Sequence, residues 1–110
     1  MAVKIFVVDK AEEYIQSLKA EIKRIEDFVE LAENYQADTF EKKVIKEYAY
    51  IGSVTNVAKK MNDLGHRIDG RKLDSNDISA IIKSKPIDDL HRIVRDSFNN
   101  QKKRVNKRYN

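Results

Sequence analysis

The chain contains no cysteine and no tryptophan, and only one proline and three glycines in 110 residues. Without cysteine there is no disulfide, no thiol nucleophile and no zinc site built on thiolates, and a reducing, cytoplasmic setting suits the composition. Two histidines, His66 and His91, lie far apart in sequence and cannot close a metal cage, so surface or capping roles are expected for them. So little turn-forming material disfavours a sandwich or barrel and favours helices. No apolar run approaches the roughly 18 residues of a membrane-spanning helix. The run Ile5 to Val8 is too short for the core of a secretory signal, so no membrane association is expected. There is no phosphate-cradling glycine loop, no nucleophile motif and no cofactor fingerprint. Asp74, Asp77, Asp88 and Asp89 each have a sufficient role at a helix start. The chain therefore reads as a non-enzyme without cofactor or metal.

What is abundant is charge. Charged residues make up 36% of the chain, against roughly 25% in ordinary globular domains. The first fifty residues hold 8 Lys+Arg against 11 Asp+Glu, a net of −3, and the last sixty hold 14 against 7, a net of +7. A chain so divided points to nucleic-acid contact by its basic half.

An all-α fold is expected. Residues 2–8 are β-branched and read as a short strand or arm. From Asp9 to about Gln36 the apolar steps alternate three and four, placing Ile15, Leu18, Ile22, Ile25 and Val29 on a heptad seam. Residues 1–36 are thus an arm and a coiled-coil dimerisation helix that makes a homodimer. Residues 37–100 form a helical domain, and residues 101–110 a disordered basic tail. In that domain Asp38-Thr-Phe-Glu41 is a capping box, Ser53 or Thr55 starts a helix reaching Leu64, and Gly65 stops it. Asp69-Gly70 signals a hairpin, Asp74 caps a helix that buries Ile78, Ile81 and Ile82, and Pro86 opens a last helix with Ile87, Leu90, Val94 and Phe98 on its apolar face.

The stretch Ser53–Lys85 has the layout of a helix-turn-helix, with or without a small wing made by the hairpin. Ala58 permits a close crossing, which Met61, Leu64, Ile78 and Ile82 then fix. The second helix presents Ser75, Asn76, Ser79 and Lys83, short hydrogen-bonding groups and a cation suited to base edges and phosphates, and its free N–H groups favour a phosphate. Lys59, Lys60, Arg67, Arg71 and Lys72 would flank the groove, with His66 in the same loop. Lys102, Lys103, Arg104, Lys107 and Arg108 give the tail five cations and no acid. The segment Val57 to Ile82, with its apolar–Ala–polar–polar–apolar–Asn pattern, glycine stop, basic loop and capped helix, resembles helix-turn-helix segments of phage and mobile-element proteins, most closely the DNA-binding part of large serine recombinases. That resemblance implies duplex DNA as partner and a role in transcription regulation or as an accessory factor. The chain is too short to hold the recombinase catalytic domain, and the turn is longer than the tight form of the motif. A competing expectation is a phage or mobile-element adaptor or inhibitor that binds a host protein through the long helix. A third is RNA binding by charge alone.

Overall fold

The computed structural model describes the backbone of residues 6–108 and the side chains of residues 6–101. Five helices follow one another: α1 (Val8–Glu33), α2 (Phe40–Ile51), α3 (Val54–Asp63), α4 (Ser75–Lys83) and α5 (Asp89–Arg108). Among the described residues the only pairing of extended backbone is an isolated bridge between Ile68 and Arg71, so the all-α expectation holds and no wing of paired strands is seen. No helix of the described residues is long and apolar enough to cross a membrane.

The chain divides into two units, residues 1–33 and 34–110. The first is α1, whose 26 residues contain no glycine or proline to interrupt the helix. Of the strand expected at 2–8, residues 2–5 lie outside the described residues. Phe6 and Val7 are turn and bend, and Val8 already begins the helix, with Asp9 inside its first turn. Among the described residues there is no strand with which Phe6 and Val7 could pair, and an isolated strand is not stable. The expected seam is present and open to solvent: Ile15, Leu18, Ile22, Ile25 and Val29 are 41–56% exposed.

The second unit holds the core. Val44, Ile45 and Tyr48 of α2, Val57, Ala58 and Met61 of α3, Ile78 and Ile82 of α4, and Leu90 and Val94 of α5 are buried together with Leu73 of the connecting turn. α2 packs on α3, α4 and α5, and α4 packs on α3 and α5. The helix starts follow local chemistry. Thr39, one residue later than Asp38, caps α2 by accepting from the Lys42 N–H, and Gly52 ends it in the left-handed conformation.

Three expectations are corrected here. Leu64 ends α3 with its side chain 64% exposed, because the helix closes at Asp63 and the turn carries Leu64 off the apolar face. Pro86 and Ile87 lie in the loop before α5, with Ile87 exposed, because Asp88 takes the N-cap role by accepting from the His91 N–H at 2.9 Å. α5 runs on to Arg108, so the backbone of residues 101–108 is helical where a disordered tail was expected. No glycine or proline interrupts that stretch, and cations near a helix C-terminus are favoured by the macrodipole.

Of the surface and capping roles expected for it, His91 takes the capping one, at a buried position that is 1% exposed. Its Nδ1 accepts from the Ile87 N–H at 3.2 Å, so Nε2 bears the proton and lies 3.0 and 3.1 Å from the Ile81 and Ile82 carbonyls that end α4. A buried imidazole therefore closes one helix while bracing the start of the next. Tyr35 ties the segment before α2 to the same junction by donating its hydroxyl to Asp88, and Lys46 donates to the Tyr35 carbonyl at 3.0 Å.

Ile82→Ala should cost about 2–5 kcal/mol in urea unfolding, from lost burial and the cavity left behind. His91→Ala should cost about 1–3 kcal/mol or more by orphaning the Ile87 N–H and the α4 carbonyls. Burial, then the hydrogen bond to Asp88, pushes the Tyr35 phenol above the usual range. Its contribution to stability is therefore present below about pH 10, where an unfolded tyrosine ionises, and is lost as pH rises through the higher folded value. Burial raises the Tyr48 phenol as well, so tyrosinate absorbance should show late-titrating phenols of which Tyr35→Phe removes one.

Candidate nucleic-acid interface

α3 and α4 are joined by residues 64–74, and this connection decides which face of α4 points outward. Ser53 opens α3 by accepting from the Asn56 N–H. Gly65, at φ 92, closes it: its N–H reaches the Asn62 carbonyl at 2.9 Å, and the His66 N–H reaches Met61 at 3.0 Å. This paired arrangement is a Schellman motif. Asp69 and Gly70 both have positive φ, 50 and 81, and Ile68 and Arg71 exchange both backbone hydrogen bonds around them. That is the two-residue hairpin turn expected of Asp-Gly.

Two side-chain clamps lock the turn. The Asn62 amide donates to the Leu73 carbonyl at 2.9 Å and accepts from the Leu73 N–H at 2.8 Å. Arg71 meets Asp77 through both guanidinium nitrogens, at 2.8 and 2.7 Å. Asp77 also accepts from the Asp74 N–H, while Asp74 accepts from the Asp77 N–H, a complete capping box at the start of α4. The Arg71 hydrogen bonds, followed by the Asp74 N–H, hold the Asp77 carboxyl far below the usual carboxylate range.

This geometry sorts the candidate cations. Arg71 is committed to Asp77. Arg67 donates to the carbonyls of Asn62 and His66, and Lys60 pairs with Glu47 at 2.6 Å. Lys59, Lys72 and Lys83 are exposed and make no ion pair among the described residues. Lys59 and Lys72 line one open groove of about 450 Å³ between α3 and the start of α4, together with Thr55, Ser75 and the carboxylates Asp63 and Asp74. Asn76 and Lys83 are exposed and Ser79 half-buried, all on one outward face of α4. At the start of α4, where free N–H groups were expected to favour a phosphate, the Asp77 N–H is already bound by Asp74, and two carboxylates stand there. His66 packs against Phe40 with the rings tilted by 51° and their centroids 5.6 Å apart. The side chains of Lys102, Lys103, Arg104, Lys107 and Arg108 lie outside the described residues.

Sequence reading missed the Asn62 and Arg71 clamps. Arg71 and Asp77 are six positions apart, a spacing no helix rule flags, and they meet only because the hairpin folds back. Asn62, a polar residue in the last turn before a glycine stop, was the available signal. No family model, curated protein or solved structure matches this chain.

The depressed Asp77 value sets an acid limit. Its contribution to stability is present above the unfolded carboxylate value near 4 and is lost as pH falls toward the folded one. Arg71→Ala should flatten this acid-side slope in pH-dependent unfolding and speed amide exchange at Asp74.

Proposed function

We propose that this chain is a small DNA-binding regulator or accessory protein, of the kind carried by phages and mobile elements. It binds duplex DNA through the α3–turn–α4 unit and acts as a dimer joined by α1. The observation that carries the proposal is the outward face of α4. It offers Asn76, Ser79 and Lys83 beside a groove whose rim bears Lys59 and Lys72, on a turn clamped firmly enough to hold that face in register. Asn and Ser hydrogen-bond to base edges, and the lysines neutralise phosphates. The five cations at the end of α5 add to the sequence-independent attraction. Arg67 and Arg71 support the interface by shaping the turn, and Lys60 by fastening α3 to Glu47.

One observation favours a second reading, a protein-binding adaptor or inhibitor: the exposed apolar seam of α1 also suits a helix of another protein.

Mobility-shift assays with duplex DNA across a salt series test the choice. Lys59→Ala, Lys72→Ala and Lys83→Ala together should lower the log–log salt slope by about 3 and leave helicity unchanged. Absence of duplex retention by the wild-type chain at low salt sinks the DNA proposal. Displacement by structured RNA in preference to duplex would replace DNA with RNA.

A further inference from the structure

We infer that the end of α5 is a second DNA-binding helix, seated in the major groove of a duplex and kept helical by the phosphates on either side of it. This rests on the DNA reading above and adds a contact separate from the α3–turn–α4 unit.

α5 outruns the core. Leu90, His91 and Val94 are buried, and Phe98 is half-buried with its ring edge-on to Tyr48 of α2, the centroids 6.1 Å apart. Asn100 and Gln101 are exposed, yet the helix continues to Arg108. Residues 99–108 thus extend it by about 15 Å. No Asp or Glu follows Asp96, while Lys102, Lys103, Arg104, Lys107 and Arg108 all do. The packed half of α5 supplies the helix nucleus, so this stretch has only to propagate, and like charge is what opposes it. Lys103 and Lys107, and Arg104 and Arg108, stand four positions apart, where like charges repel. A polyanion removes that repulsion and leaves the helix.

The order of the charges selects the shape of the polyanion. At about 100° per residue, the five cationic positions spread over about 240° of the helix circumference. Asn106 falls among them. Within residues 102–108 only Val105 takes the remaining arc, in line with Val94 and Phe98 on the core side. An anionic surface lying on one side, such as a membrane or a protein face, spans at most half the circumference and leaves cations unmatched. A helix in a groove has phosphates on both flanks. The major groove of B-form DNA, about 12 Å wide, admits an α-helix of about 10–12 Å. The deep groove of A-form RNA is too narrow for side chains to read. Duplex DNA is the polyanion that fits.

Asn106→Pro breaks the helix here without removing a charge, about two turns beyond Phe98 and so clear of the core. In mobility shifts of the full-length chain on a short DNA duplex at moderate salt, it should weaken retention about tenfold or more. Asn106→Ala, which keeps both helix and charge, should retain the duplex as the wild type does. Equal retention by all three chains means that charge alone acts, and an equal loss in both variants means that the amide acts; either result overturns the inference. Exchanging all five cations for Gln should lower the log–log salt slope by about 4 to 5, and an unchanged slope overturns the contact. Preference for an RNA duplex of the same length overturns the groove. The two DNA contacts are read apart by the Lys59, Lys72 and Lys83 variant. Retention that survives it but fails with Asn106→Pro leaves the α5 contact and sinks the helix-turn-helix reading, and the reverse does the opposite.

Discussion

The side-chain amide of Asn62, paired on both edges with the Leu73 backbone, is the contact on which the basic half of this protein depends. Eleven residues separate α3 from α4. A connection of that length has many conformations, and each would turn a different face of α4 outward. The amide joins the last turn of α3 to the last residue before the α4 cap. Arg71 and Asp77 then fasten the hairpin between those points. With both ends held, Ile78 and Ile82 enter the core and Asn76 and Lys83 are left outside.

The clamps have an electrostatic consequence. The basic loop contributes less free charge than its composition suggests, because Arg67 and Arg71 spend their donors on backbone carbonyls and on Asp77. Asp74 and Asp77 make the α4 start a poor anion site. In the α3–turn–α4 unit the lysines left for a phosphate are Lys59 and Lys72, on a groove that Asp63 and Asp74 also line, and Lys83, the last residue of α4. Within the connection between α3 and α4, Arg67 and Arg71 make the fixed contacts with their planar forks, and Lys72 is left without an ion pair among the described residues.

Much of the fold was legible because its signals are local. Gly65, Asp69-Gly70 and the Asp74 cap act within a few residues and sit where the pattern placed them. The α1 heptad is equally plain, since a gap-free three–four alternation admits no other regular structure. What could not be read depends on non-local meetings. His91 could be read as a surface or a capping residue but not as a buried one, because only folding brings the end of α4 onto its ring. Pro86 looked like a helix start because nothing local shows that Asp88 already has both a backbone N–H and Tyr35 as partners. On the candidate interface, the residue types were legible, but the division of cations into fixed and free was not, because it follows from the hairpin's path.

The most direct measurement of the central claim is an amide chemical-shift titration of the full chain with a short DNA duplex at moderate salt. Binding through the helix-turn-helix predicts shifts concentrated on Asn76, Ser79 and Lys83 and on the groove residues Lys59 and Lys72, with the interior of α2 unmoved. Shifts confined to α1, or none at any residue, would contradict it.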